Sequence, residues 1–334
     1  MRYFWDDRQR AHAPAGEFFN GAIHPPAEHP GRVDAILAAI GPTEAPRDCG
    51  IEPLLRVHSA DYLDFLQSAY SEWRAAGREG DAFPYTFPVV GRRPLKLGRI
   101  DALLGQYSFD TSTPIVEQTW DAAYWSAQTA LAATDAVLSG ERTAFALCRP
   151  PGHHAGADYL GGYSYLGNAA IAAEHALAAG RKRIAILDVD YHHGNGTQDV
   201  FYDRGEVLFV SIHADPSTDY PFFWGHADET GEGEGGGTTL NLPLPRGTRW
   251  AEYEPALAHA VERIARFEAE LLVVSYGADT HETDPISHFR LTTADYAPMA
   301  RRIAALGLPT AIAMEGGYAV DALGANVASF LSGF

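Results

Sequence analysis

From Thr143 onward, short apolar runs alternate with longer stretches whose apolar residues recur every three or four positions. The runs Thr143–Leu147, Arg183–Val189, Val207–Ile212, Thr238–Leu242, Leu271–Tyr276 and Thr310–Met314 have strand length. Near-continuous apolar runs of that size fit strands buried on both faces. Between and after them, Tyr165–Ala179, Thr197–Tyr202, Trp250–Glu268, Thr292–Leu306 and Val320–Leu331 carry helical spacing. Strand and helix in turn predict an α/β fold, an open parallel sheet with helices on both faces.

The first half is less regular. Helical spacing occurs at Arg32–Ile40, at Ala60–Ala76, and from near Glu117 to Leu138, where Gly140 stops it. Residues 1–30 read as an irregular arm punctuated by Pro14, Gly16, Gly21, Pro25, Pro26 and Pro30. Residues 77–98, with Pro84, Pro88, Gly91 and Pro94, read as a loop, as do residues 107–114. Phe18, Phe19 and Ile23 make the arm too apolar to lie wholly in water, so it packs on its own domain or meets a neighbouring subunit. The Gly-rich segment 231–237 lacks the Lys-Ser/Thr of a phosphate-binding loop and reads as a flexible connection. No linker or repeat divides the chain, so residues 1–334 read as one domain.

Composition changes this picture little. At 334 residues and 46% hydrophobic, the chain has ample material for a core. Two cysteines, Cys49 and Cys148, rule out a disulfide framework and a C-x-x-C zinc site. The polar start lacks a secretory apolar region, and no run of about 18 uncharged apolar residues is present, so a cytoplasmic protein with no membrane span is expected. A net charge of −18 argues against nucleic-acid binding, which needs clustered Lys and Arg. It favours encounter with cationic ligands, although solubility alone also explains it.

The chemistry gathers where four of the strands stop. Cys148-Arg-Pro-Pro-Gly-His153-His154 follows the first, Asp188-Val-Asp190-Tyr-His192-His-Gly-Asn195-Gly-Thr the second, Gly277-Ala-Asp279-Thr-His281 the fifth and Glu315-Gly-Gly-Tyr318 the sixth. Residues two apart in extended chain point to one side, so Asp188, Asp190 and His192 share a face at a strand end. In open parallel sheets, ligands bind at such ends. Carboxylates and an imidazole this close call for a cation. A metal bound by Asp190, His192 and Asp279 has three protein ligands and an open position, the catalytic pattern. Taken singly, each feature has a plainer explanation. A His pair in a loop is often solvated, an Asp at a strand end often caps a helix, and a Tyr beside two glycines often only packs.

Together these segments resemble the signature motifs of zinc-dependent histone deacetylase-like amidohydrolases, and the chain is most similar to their bacterial acetylpolyamine amidohydrolase branch. The likeness covers essentially the whole chain, including Tyr107-Ser-Phe-Asp-Thr, Gly161-Gly162-Tyr163 and Asp215-Pro through Tyr220-Pro-Phe-Phe. It implies an arginase/deacetylase-like fold with a loop-rich active-site face. Asp190, His192 and Asp279 would be the ligands of Zn2+, or of Fe2+ in the cell. His154 would be the general base, His153 its electrostatic partner or proton donor, and Tyr318 the donor to the carbonyl oxygen. Asp188 would stand behind His153 and Asn195 behind His154, at a position where many relatives carry Asp. Structural K+ would lie among Asp188, Ser211 and the backbone carbonyls near Asp190, His192 and Ile212. Gly162, Tyr163 and Tyr220 would line the substrate tunnel, and Asp110 would be a rim acid, with Glu17 a further acid at the mouth. Ordinary aromatic packing is the simpler reading of the two tyrosines.

Three positions depart from the family pattern. Ser164 and Gly167 replace the usual Cys and Asn, at places expected near the tunnel wall. Ser112 stands where a polyamine enzyme can carry a second acid. The expected reaction is hydrolysis of an N-acetyl amide on a cationic amine, foremost an acetylpolyamine, by a homodimer. Deacetylation of acetyl-lysine or another small N-acyl compound is the nearest rival. A two-metal ureohydrolase of arginase type and a non-catalytic binding protein are more distant ones.

Overall fold

Among the residues described, 1–89 and 96–334, seven strands form one sheet and two more form a small hairpin. In chain order they are β1 (Arg2–Phe4), the hairpin strands β2 (Glu17–Phe19) and β3 (Ala22–His24), then β4 (Thr143–Ala146), β5 (Ile184–Asp188), β6 (Val207–Ala214), β7 (Thr239–Leu244), β8 (Leu271–Tyr276) and β9 (Thr310–Met314). The sheet order is β1-β4-β9-β8-β5-β6-β7, and every pairing within that sheet is parallel in this computed structural model.

The apolar runs explain why the sheet is covered twice. Along β5, Ile184 and Ile186 join one apolar cluster while Ala185 and Leu187 join the other. Along β8, Leu271 and Val273 alternate with Leu272 and Val274 in the same way. Side chains of a strand point alternately to its two faces, so a run apolar at every position needs cover on both. Helices Thr119–Leu138 and Asn168–Ala178 supply one layer; Trp250–Phe267, Thr293–Ala304 and Val320–Leu331 supply the other.

The expected strands and helices of the second half are present, with ends shifted by a few residues at most. The first half holds more order than its composition suggested. Residues 1–30 are not uniformly irregular: Arg2–Phe4 adds an edge strand beside β4, Asp7–Ala11 makes a 3-10 turn, and β2 and β3 pair antiparallel. Strands of three residues are too short to show a period, which is why the pattern hides them. The segments Glu52–Leu55 and Ile100–Gln106 are also helical. Gly91 and Pro94, two of the residues that mark 77–98 as a loop, lie outside the described residues. No helix is long and apolar enough to cross a membrane among the described residues.

Strand order decides which motifs meet. The strands β4, β9, β8 and β5 are consecutive neighbours. Four motifs far apart in the chain therefore emerge side by side at one rim of the sheet.

Candidate active site

Past the end of β5, Asp190 and His192 meet Asp279, which follows β8. One ligand-type atom from each lies within 4.8 Å of the others. His192 Nδ1 is 3.0 Å from Asp279 Oδ2 and 3.4 Å from Asp190 Oδ1. The carboxylates are fixed by backbone donors: His192 N–H and Gly316 N–H donate to the two oxygens of Asp190, and Tyr191 N–H donates to Asp279 Oδ1. Both carboxylates are fully buried. Burial and the charge of Asp190 push the Asp279 carboxyl up. Two buried anions and an imidazole, with no Lys or Arg hydrogen-bonded to any of them among the described residues, form a donor set that fits a divalent cation. Packing here is close enough that a Cβ at Gly277 would stand 1.9 Å from Asp190 Oδ2.

The histidine pair after β4 faces this centre, with ring centroids 4.0 Å apart. His153 Nδ1 is 3.0 Å from Asp188 Oδ2, and His154 Nδ1 is 2.6 Å from Asn195 Oδ1. Their surroundings push them in opposite directions. Burial works against charging His153, but Asp190 and Asp188 outweigh it and raise its pKa to about 10. Burial, then the neighbouring His153 and His192, holds His154 well below the ordinary imidazole range. One imidazole is thus set to hold a proton and the other to accept one. Asp188 does not join the ligand group; its carboxylate stands behind His153. Ser211 is its cross-strand partner on β6, followed by Ile212.

Tyr318, after β9, completes the centre. Burial raises its phenol well above the usual value, so the hydroxyl keeps its proton and can donate. The guanidinium carbon of Arg32 lies 4.9 Å over the Tyr318 ring. Arg32 also donates to the carbonyls of Glu315 and Gly317, fixing the turn that carries the tyrosine. Asp284 accepts from Tyr318 N–H and Ala319 N–H. Behind Arg32, the buried Glu28 Oε1 accepts from both Arg32 (2.9 Å) and Arg149 (2.8 Å).

From this centre a cavity of about 330 Å³ opens outward, lined by His154, His192 and Tyr318 at its base and by Gly162, Tyr163 and Tyr220 on its walls. The Tyr220 ring is edge-on to His154 at 5.1 Å, and Tyr163 is edge-on to Tyr318 at 5.6 Å. Gly162 and Tyr163 both have positive φ, +53° and +62°, an arrangement costly for the tyrosine. A Cβ on Gly162 would sit 2.1 Å from His154 Cδ2, so the wall lies flush against the imidazole. The two expected rim acids back the walls. Asp110 Oδ2 accepts from Gly162 N–H at 2.7 Å and from the Tyr220 hydroxyl at 2.9 Å. Burial and the carboxylate of Glu17 raise the Tyr163 phenol well above its usual range.

The three departures sort differently. Ser112 lines the cavity and donates to Asp110. Ser164 and Gly167 do not line the cavity but lie near it: Ser164 Oγ accepts from His154 N–H and donates to the Gly162 carbonyl, and Gly167 N–H donates to His58. Asp219, Phe19 and His288, not foreseen from the sequence, also line the cavity, and Arg32, Glu28 and Asp284 lie unforeseen beneath Tyr318. None carries a local motif; an Asp219 tied to Tyr191 and Arg246 is recognisable only once those side chains are brought together.

Comparison with known proteins gives the family and the fold. The histone deacetylase domain family matches residues 26–334. Acetylpolyamine amidohydrolase 1 of Pseudomonas aeruginosa is 52% identical, with 100% of this chain and 99% of that protein covered. Acetylpolyamine amidohydrolase of Mycoplana ramosa is 47% identical over 100% of this chain and 99% of its own. The crystal structure of an acetylpolyamine aminohydrolase from Burkholderia pseudomallei superposes with a TM-score of 0.96 at 43% identity, covering 100% of this chain and 98% of the other.

Proposed function

The chain belongs to the histone deacetylase family, and from that premise we propose that it hydrolyses N-acetyl amides of slim cationic amines, acetylpolyamines before all others. One observation carries the reading: Asp190, His192 and Asp279 converge beside a His pair and a buried phenol at the base of a tyrosine-walled cavity. The names of the relatives support the substrate class.

Zn2+, or Fe2+ in the cell, held by Asp190, His192 and Asp279 would supply Lewis acidity toward the amide oxygen and lower the pKa of the attacking water. His154, kept neutral, takes the proton from that water. Tyr318 donates to the oxyanion as it develops. His153, held charged between Asp188 and Asp190, stabilises that negative charge, and the pair returns a proton to the leaving amine. Asp188, Ser211 and the carbonyls of Asp190, His192 and Ile212 would hold a structural K+.

The walls suit a thin cationic chain. Tyr163 and Tyr220 offer apolar faces to methylenes, and each phenol is backed by a carboxylate, Glu17 or Asp110, which favours an ammonium farther out. With zinc-loaded enzyme, kcat/KM for N-acetylputrescine is expected to exceed that for an acetyl-lysine peptide by about tenfold or more, an energy difference of about 1.4 kcal/mol. A preference for the peptide would move the function to lysine deacetylation.

The same surface suggests a homodimer. Phe18, Phe19 and Ile23 on the hairpin and Phe222 and Phe223 beside the wall are exposed, Ile23 at 71% and Phe223 at 81%. Apolar groups so close to a substrate entrance favour cover by a second subunit. Sedimentation at micromolar concentration is expected to give a dimer; a monomer would leave the cavity mouth open and exclude the subunit contact.

A further inference from the structure

The geometry points to Tyr159 and Asp199 as positioning residues that hold the Asn195 amide in the one orientation that leaves His154 able to act as a base. This rests on the hydrolytic role of His154 proposed above. Asn195 presents Oδ1 to His154 Nδ1 at 2.6 Å. At its other end, Nδ2 donates to the Tyr159 hydroxyl at 3.4 Å. That hydroxyl donates in turn to Asp199 Oδ2 at 2.7 Å, and the Asn195 backbone carbonyl lies farther off, at 3.5 Å.

The two ends of an amide have nearly the same shape, so packing alone does not choose which one faces the imidazole. The relay does. Burial pushes the Asp199 carboxyl up to about 6; above that pH it is ionised and only accepts, so Tyr159 must turn its proton toward Asp199 and leave its lone pairs for a donor. Of the two amide ends, only Nδ2 can serve there. Oδ1 is thereby committed to His154, whose Nδ1 must carry the proton, and Nε2 is left with a free lone pair. A flipped amide would offer NH2 to Nδ1 and favour the tautomer with its proton on Nε2, which takes none from water. An aspartate at position 195 would need no such guide, because both its oxygens accept. The relay is thus a requirement that asparagine brings with it.

The test uses the zinc-loaded full chain and a double-mutant cycle. The Tyr159 ring packs edge-on to Phe109 at 5.6 Å and stacks with Trp224 at 6.2 Å, so Tyr159→Phe keeps its place and loses only the hydroxyl. With Asn195 present, Tyr159→Phe is expected to lower kcat about tenfold, the usual scale for a supporting partner, and to leave KM within about twofold. In the Asn195→Asp background the same change is expected to move kcat by less than about twofold. An equal loss in both backgrounds, no loss with Asn195, or a loss carried by KM would overturn the assignment. Should Tyr159→Phe fold poorly, Asp199→Ala at the far end of the relay is read by the same criteria. Histidine 15N spectra follow the His154 tautomer without substrate, with a shift from Nδ1–H toward Nε2–H expected in Tyr159→Phe. That measurement decides the relay even if acetylpolyamines prove not to be the substrate, and an unchanged tautomer rejects it.

Discussion

Replacing Asp279 with alanine is expected to lower turnover of an N-acetylated diamine by about 10³-fold or more and to strip the divalent ion from the purified enzyme. Asp279 is one of only three side chains in the cluster, and its second oxygen is already committed to Tyr191 N–H. Two remaining ligands do not make a site that competes with water and buffer for a divalent ion. Lewis acidity is worth several kcal/mol at the transition state, and about 1.4 kcal/mol is tenfold in rate. Elemental analysis of the parent enzyme is expected to give one zinc or iron per chain together with potassium. A variant that keeps both its ion and its activity would show that the centre is built elsewhere, and two divalent ions per chain would favour ureohydrolase-type chemistry instead.

Tyr318→Phe is expected to cut kcat by about 10²–10³-fold, the cost of removing one oxyanion donor. Bound ion and fold should be retained, because the main-chain donors of Tyr318 and Ala319 to Asp284 and the bonds of Arg32 to Glu315 and Gly317 do not involve the hydroxyl. Binding of the substrate should change little, since the donor matters most when negative charge has formed on the carbonyl oxygen. The decisive quantity is kcat at saturating acetylputrescine, with metal content measured on the same sample. Turnover within a few-fold of the parent would assign oxyanion stabilisation to the remaining groups.

Much of this centre could be read from the chain because its parts are local. Asp190 and His192 are two apart at the end of an apolar run, and His153-His154 and Glu315-Gly-Gly-Tyr318 each follow another. A strand that ends in polar residues predicts both its own burial and the rim where those residues emerge. What escaped notice depends on tertiary meeting. Arg2–Phe4 is a strand only because β4 offers it an edge. Asp110 is expected at the rim from the family resemblance alone; that it accepts from Gly162 and Tyr220, 52 and 110 residues away, is visible only in the folded chain. Ser164 and Gly167, expected near the wall, stand behind it: Ser164 Oγ bonds His154 N–H and the Gly162 carbonyl, and Gly167 N–H reaches His58, pairings no local pattern announces.

Glu28 sits at a junction that constrains how such an enzyme can be rebuilt. Its one engaged oxygen serves two guanidinium groups, one under the Tyr318 turn and one at the foot of the histidine loop. Swapping in a foreign N-terminal segment without that acid would leave Arg32 and Arg149 side by side in the interior without a counter-charge, a loss on the scale of about 3–5 kcal/mol for breaking a buried ionic pair. A chimera built from two such enzymes therefore has to inherit the acid and both cations from one parent, or replace all three together.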